Sequence, residues 1–537
     1  MGPLVDKVRR LLEKGYFPSQ LPPPFSTVSL ATHHQSLFNS WPFGLHKVPS
    51  SRGEYFSVAR AGHSRRPITI PNPVNQLQLC RAISDHWRDI RQYFGKSKLS
   101  LSVPKLQGNK RRATEIVPLS ELTEKRLILS GSYPFALITD VSRFFPTLYT
   151  HSIPWALHGK ANAKANTRRK DPTFYGNILD YLIQTSQERQ TLGIPIGPDT
   201  SHVVSEIIAT AVDLHLRDGL KRWPVGYRHV DDYFLCFNSH EEAEAALTAL
   251  RNALREFELD INSAKTRIVE SASLREDGWV ERLKVAEIGT TESEQRRGLG
   301  RFFDLAFDVA REDENALKYA LKRSAGTRIL ESVWQLYEAY LLRCGLLSPN
   351  CVPTIAQIFI TYQGLGGYKI DKKRIANFCG NVILHCAPNE HHSETVWALF
   401  LARELGISLP ARVGSVISRV QSSVCALVSL DLARAGLLRG TLDTTMWSAA
   451  LTPAGLKGPM WLLAYEAARK NWLASPQPGF LANDTYFGPM LASNVIFYDE
   501  TAHITPLIRK VRRPSPFWPD EEEGDFEFDD LMEEYIA

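Results

Sequence analysis

Long apolar runs are missing from this 537-residue chain: no stretch of 18 consecutive apolar residues occurs, so no membrane-spanning helix is expected. The opening Met1-Gly2-Pro3-Leu4-Val5-Asp6-Lys7-Val8-Arg9-Arg10 lacks the apolar core of a signal peptide and the Ser or Thr that myristoylation requires, which predicts a cytoplasmic protein. Cysteine is sparse. Seven are scattered with no CxxC, which excludes a disulfide framework and fits buried small hydrophobes in a reducing compartment. The segment His385-Cys386-Ala387-Pro388-Asn389-Glu390-His391-His392 invites a zinc reading, but no second ligand pair stands at helical or knuckle spacing, so zinc is not expected. No strict internal period is visible either.

What remains is the composition of a globular protein, with 44% hydrophobic and 23% charged residues, long enough for two to four units. The net charge of +5 hides an asymmetry: residues 520–537 hold ten acidic residues and no basic ones, leaving +15 on residues 1–519. That excess suits a polyanionic partner. The expected organisation is an N-terminal extension (1–60), a mixed helix-and-strand unit (61–288), an all-α unit of successive helices (289–518) and an acidic disordered tail (519–537).

Two segments organise the mixed unit. Leu137-Ile138-Thr139-Asp140-Val141-Ser142-Arg143-Phe144-Phe145-Pro146 is followed by Tyr227-Arg228-His229-Val230-Asp231-Asp232-Tyr233-Phe234-Leu235, which sets Asp231 91 residues after Asp140. Each sets a carboxylate in a run of apolar and β-branched residues, read as strands of a half-buried sheet. Ionised carboxylates beside apolar strands are costly unless they are paired or hold a metal. Asp231 and Asp232, being adjacent, point to opposite faces of a strand or sit where it reverses, so only one is expected to share a face with Asp140. Asp140 and Asp231 would then cage two divalent cations, an arrangement suited to phosphoryl transfer.

Other stretches fall around this pair. Arg65-Arg66-Pro67-Ile68-Thr69-Ile70-Pro71 reads as a strand with a phosphate-facing edge, since the guanidinium fork matches phosphate oxygens. A helix over about 74–93 follows it. Lys105 to Arg112 is a basic, Gly-containing loop suited to phosphate contact. Gly193-Ile194-Pro195-Ile196-Gly197-Pro198 is a tight loop that lets backbone approach a nucleotide closely, feeding a helix expected over 203–216 with Gly219 just past its end. Lys265, past a turn and entering a strand, is placed to protonate a leaving pyrophosphate. The β-α-β-β-α-β-like order predicts an α+β fold with a ferredoxin-like antiparallel sheet backed by helices.

In order and spacing, these segments of residues 60–285 resemble the fingers and palm of a reverse transcriptase. Thr139 to Pro146 resembles the first catalytic motif, Gly193 to Pro198 the template- and nucleotide-side loop, Val230-Asp231-Asp232-Tyr233 the second catalytic motif, and Asn262-Ser263-Ala264-Lys265-Thr266 the lysine motif. The resemblance implies Asp140, Asp231 and the backbone at Val141 as ligands of two Mg²⁺ ions (Mn²⁺ as substitute), with Asp232 and Lys265 completing the catalytic set. It also implies Arg65, Arg66, Val141, Pro195 and Gly197 as substrate contacts, and Phe145 as an aromatic gate against a 2′-hydroxyl. Val230 stands where alanine or methionine is usual. Ile196 stands where glutamine is usual, removing a hydrogen-bonding side chain beside the nascent pair and pointing away from ordinary templated copying. No thumb or RNase H domain is recognisable.

With the long HEAT-like helical half, these departures resemble the bacterial abortive-infection, defence-associated reverse transcriptases. That resemblance implies a homo-oligomeric DNA polymerase of antiphage defence that adds dNTPs, without a copied template, to a tyrosine of its own. The single-stranded DNA product would stay covalently attached. Tyr55, Tyr93 and Tyr535, with Tyr16 and Tyr486 behind them, are the candidate primers. Two alternatives stand beside this: an RNA-templated reverse transcriptase using a non-coding RNA, and a nucleic-acid-binding scaffold with vestigial catalysis.

Overall fold

A four-stranded antiparallel sheet sits at the centre of the amino-terminal half, in strand order β4 (Val225–His229), β5 (Asp232–Phe237), β3 (Phe135–Asp140), β6 (Arg267–Glu270). Two interleaved β-α-β units give this order, with β4 and β5 joined as a tight hairpin and β3 inserted between β5 and β6. The computed structural model describes residues 6–42, 48–60, 62, 64–106, 112–274 and 278–507. Tyr535, the acidic tail and most of the basic loop after Lys105 lie outside the described residues.

One face of the sheet packs on two helices. Asp199–Leu220 is buried nearly all round, whereas His240–Arg255 is amphipathic and buries Ala243, Ala246, Leu250, Ala253 and Leu254. Ser239 starts the second of these by accepting the Glu242 amide, with Glu241 and Glu242 favourably placed in its first turn. On the opposite face, the helix Leu119–Ser130 lays Leu122 against Tyr227, Phe234 and Cys236 in a small separate core.

Three sequence expectations are corrected here. The helix expected over 74–93 is two helices, Pro73–Asp85 and Trp87–Phe94, broken at His86, whose backbone leaves helical geometry. The helix after the glycine loop starts at Asp199 and runs through Gly219 to Leu220. It stops because Lys221 turns left-handed at φ +59°, the geometry usually left to glycine. The expected boundary at residue 60 falls inside a two-stranded hairpin, β1 (Glu54–Ala59) with β2 (Arg65–Ile70).

Beyond residue 290 the chain is helical, from Glu292–Val309, begun by a Thr291/Glu294 capping box, to Trp461–Arg469. Trp334, Trp447 and Trp461 are fully buried in it, and its apolar residues join those of the amino-terminal half in one continuous core. All seven cysteines are buried and unpaired. Among the described residues no helix is long and apolar enough to cross a membrane.

The β1–β2 hairpin is bound to the helical half by polar contacts. Ser57 N–H donates to His392 Nδ1 at 3.2 Å, and Ala59 N–H to Ser393 Oγ at 3.4 Å. Buried Glu54 accepts from the Ser422 hydroxyl (2.9 Å) and the Val424 amide (3.2 Å) through Oε1, while its Oε2 has no partner. Burial outweighs those bonds and lifts the Glu54 carboxyl from its ordinary 4.5 to about 7. The folded state therefore holds this proton more tightly than the unfolded chain. The stability it contributes is full below about pH 4.5 and lost as pH rises through about 7. Glu54→Gln is expected to match wild type in thermal unfolding near pH 5. Near pH 8.5 it should exceed wild type, by at most about 3 kcal/mol for a shift of this size.

Candidate active site at the end of the four-stranded sheet

β3 ends on Asp140, and the β4–β5 hairpin reverses beside it through the two-residue turn Val230-Asp231. The register sets Asp232, not Asp231, directly opposite Asp140. Asp231 occupies the reversal, so the turn geometry holds rather than the alternation of a continuous strand. Its main chain is tied across: Val141 N–H donates to the Asp231 carbonyl at 3.2 Å. Asp140's own carbonyl accepts the Asn262 amide at 2.8 Å, bringing the Asn262–Thr266 segment alongside.

Lys265 then reaches back to donate to Asp140 Oδ2 at 2.7 Å. Asp140 is 6% exposed, and its Oδ1 is buried with no hydrogen-bond partner. Asp231 is half-buried and Asp232 open to solvent, yet the protein packed around both displaces enough water to raise their carboxyls. For Asp231 that desolvation, then repulsion from Asp232 and Asp140, lifts it to about 7 against the pull of Lys265. Asp232 rises through desolvation and Asp140, opposed by Lys265 and Arg126. The Lys265 ammonium is held above its usual range by its bond to Asp140.

An orphaned buried carboxylate oxygen, two raised carboxyls and an all-oxygen donor set fit a hard divalent cation. Asp140 with Asp231 or Asp232 would hold it, provided that Lys265 yields Oδ2. The Val141 amide, expected to help hold a triphosphate, is already engaged by Asp231.

The two arginines of β2 part company because neighbours on a strand face opposite ways. Arg66 is half-buried and feels Asp231. Burial, then Arg60, lowers its guanidinium to about 10, with Asp231 pulling the other way. Arg65 is not available as a phosphate contact. Its fork grips Glu394, with Nη2 to Oε2 at 2.9 Å, and its Nε donates to Ser57 Oγ at 2.8 Å.

The glycine loop is stitched between the segment that follows β3 and strand β2. Ile194 N–H donates to the Phe145 carbonyl (3.0 Å) and Thr69 N–H in β2 to the Ile196 carbonyl (2.9 Å). Pro195 is buried. Gly197 stands at φ +125°, where a Cβ would come within 2.9 Å of Ile68 Cγ2, so only glycine fits. Arg112, the described end of the basic loop, pairs with Asp199 and donates to the Gly197 carbonyl, bracing this loop. Phe145 follows Arg143, a left-handed residue at φ +46°, and rests its half-buried ring on Phe144 with centroids 5.6 Å apart.

The candidate tyrosines separate by exposure. Tyr16 is fully buried and donates to the Pro71 carbonyl. Tyr93 is buried and donates to the Ala156 carbonyl at 2.7 Å. Tyr486 is buried against Trp41. Tyr55 is 44% exposed on β1, opposite Thr69.

Beneath the hairpin lies a cluster that the sequence reading did not anticipate. Arg228, 1% exposed at its side chain, lies between Glu206 (2.8 Å) and Asp213 (2.9 Å) of the Asp199–Leu220 helix. The signal was there to read: two acids seven residues apart share a helix face, and a basic residue follows Tyr227 within a strand that is paired to the apolar run of β5.

Cys386, His391 and Glu394 do converge, their ligand atoms within 4.8 Å of one another; among the described residues no other three such groups come so close, the three aspartates included. Arg65, however, already neutralises Glu394, and its charge beside the cluster opposes a cation.

No protein-family model matches the chain, and no curated protein matches it. Similar solved structures include the apo telomerase from Candida tropicalis, at 9% identity and TM-score 0.31, covering 80% of this chain and 76% of that one. Another is the telomerase from Candida albicans in complex with a TWJ fragment of telomeric RNA, at 13% identity and TM-score 0.31, covering 75% and 68%. A likeness of that degree carries no argument about fold or activity.

Arg228→Met strips the counter-charge from Glu206 and Asp213 inside the protein. It is expected to cost about 3–5 kcal/mol in urea unfolding. The doubly replaced variant Arg228→Met with Glu206→Gln should recover part of that loss.

Proposed function

We propose that this protein is a DNA polymerase of reverse-transcriptase type, acting in the cytoplasm in antiphage defence and adding dNTPs to a tyrosine of its own chain. The observation that carries the reading is the meeting of Asp140, Asp231, Asp232 and Lys265 at one end of a four-stranded sheet, with Arg66 close enough to feel the Asp231 charge. The order of the sequence motifs supports it.

Bound at Asp140 and Asp231, two Mg²⁺ ions would supply charge stabilisation to the attacking and leaving oxygens. The chain's own groups do the rest. A tyrosine or 3′-hydroxyl oxygen bonds to the α-phosphorus, its own proton passing to the Asp232 carboxylate, as the bond to pyrophosphate breaks. Lys265, charged and within reach of the carboxylates, gives its proton to the departing pyrophosphate. Arg66 offers its guanidinium to the β- and γ-phosphates. Phe145 sets an aromatic edge where a 2′-hydroxyl would lie. Among the described candidates, exposure favours Tyr55 as primer. Self-assembly into a homo-oligomer belongs to the same reading.

Incubating the protein with labelled dNTPs and no primer is expected to fix label to the protein, with loss of that label in Asp231→Asn and in Tyr55→Phe. Label in Tyr55→Phe would move the primer elsewhere. Products complementary to copurifying RNA would replace untemplated synthesis with templated copying, and no incorporation with any template or metal would leave a binding scaffold. Phe145→Ala is expected to raise ribonucleotide use relative to dNTP use by about 10–100-fold, the scale of losing one apolar contact in a substrate pocket. Lys265→Ala should slow turnover yet lower the Mg²⁺ needed for half-activity, because the ammonium no longer competes for Asp140.

A further inference from the structure

The turn that carries Asp231 has an uncommon backbone. Val230 lies at φ +55°, a region that β-branched residues avoid on steric grounds. Such a residue persists where its surroundings over-determine it. Here both polar groups of its main chain are held. Its N–H donates to Ser102 Oγ at 2.8 Å, and its carbonyl accepts Arg228 Nη1 at 2.9 Å. Ser102 is fully buried, and its hydroxyl also meets Arg228 Nη1 (3.4 Å) and Glu206 Oε2 (3.2 Å).

Arg228 is held in turn from the other side. Its Nε reaches both oxygens of Asp213 at 3.0 Å, and its Nη2 reaches Asp213 (2.9 Å) and Glu206 (2.8 Å). Tyr233, the next residue of β5 after Asp232, adds its hydroxyl to Asp213 at 2.9 Å. A line of contacts therefore runs from the long helix through one guanidinium into the peptide groups on either side of Val230, immediately before Asp231.

We propose that Arg228, with Ser102, is a positioning residue: it clamps both sides of the Val230 main chain, holds the turn in its left-handed geometry, and thereby aims the Asp231 carboxylate at Asp140. The role assigned to Asp231 rests on the nucleotidyl-transfer reading, whereas the clamp itself does not. An ordinary buried ion pair would need only the helix and the strand. This one spends a donor on the turn's carbonyl, and the serine spends its oxygen on the turn's amide.

The test compares full-length wild type with Ser102→Ala, a small change that leaves the buried charges of Arg228, Glu206 and Asp213 in place, and with Arg228→Lys, which keeps the charge and loses the fork. Amide hydrogen exchange of residues 226–236 is expected to quicken about 10-fold in Ser102→Ala, the scale of one lost buried hydrogen bond, with the helical half unchanged. Mn²⁺ affinity, read by water proton relaxation, should fall about 10-fold, as for loss of a residue that orients a ligand. In dNTP incorporation kcat should fall while KM stays within about 2-fold.

Unchanged exchange in the hairpin would overturn the clamp. Faster exchange with unchanged Mn²⁺ affinity and kcat would overturn its positioning role and leave a packing contact. Should wild type bind Mn²⁺ no better than an Asp140→Asn, Asp231→Asn double variant, the polymerase reading fails, and the exchange data still decide the clamp.

Discussion

Negative charge crowded at one end of a sheet is the constraint around which this molecule is arranged. Asp140, Asp231 and Asp232 repel one another where β3 meets the β4–β5 turn, and Glu206 and Asp213 lie buried beneath. Unpaired, that set would neutralise itself or unfold the region. The answer is layered. Arg228 takes the two buried acids from below, Lys265 takes Asp140 from the side, and Arg66 and Arg126 approach Asp231 and Asp232 from their flanking elements. The buried layer is hydrogen-bonded throughout. In the outer layer the Lys265 side chain is largely exposed, a cation that can leave. Structure below and reactivity above is the division expected where the same carboxylates must be stable in the fold and available to a ligand.

The second consequence concerns the β1–β2 hairpin. Arg65 and Arg66 share a strand, yet one belongs to the site and the other to the scaffold. Arg65, Glu54, Ser57 and Ala59 fasten the hairpin to the helices His392–Glu404 and Ser423–Arg434. His392 accepts the Ser57 amide, which requires a neutral ring nitrogen, and burial lowers its pKa to about 4. The hairpin that presents Arg66 is thus braced by the helical half. A polymerase built this way would hold its phosphate-side strand in place rather than swing it over each incoming nucleotide.

Much of this was legible. The aspartates and the strand pair stood in apolar runs whose period and turn residues are strong local signals, Lys265 stood past a turn at the start of a further strand, and the sheet order followed from them. Gly193 and Gly197 declared a tight loop, and the structure stitches it to both Phe145 and β2. What was hidden depends on partners distant in sequence. Nothing near Arg65 reveals that Glu394, 329 residues away, will claim it. The left-handed turn at Val230 is invisible because valine is the wrong residue to advertise it. The break at His86 and the run of helix through Gly219 are cases where tertiary packing overrides local preference.

The cysteine and histidine cluster shows why proximity alone is a poor guide to a metal. Cys386, His391 and Glu394 are near enough to share an ion, and a Cys-His-Glu set would suit zinc. Their electrostatics differ from those of the aspartates. Glu394 is already spent on a guanidinium and on the Ser393 hydroxyl, and burial holds the Cys386 thiol at about 12, far from the thiolate a metal requires. At the sheet end the situation is reversed. Asp140 keeps a buried oxygen with no donor, two more carboxylates stand beside it, and the cation on its other oxygen is a flexible lysine. Uncompensated oxygen, not ligand count, distinguishes the place where a cation would be stabilising from the place where it would be repelled.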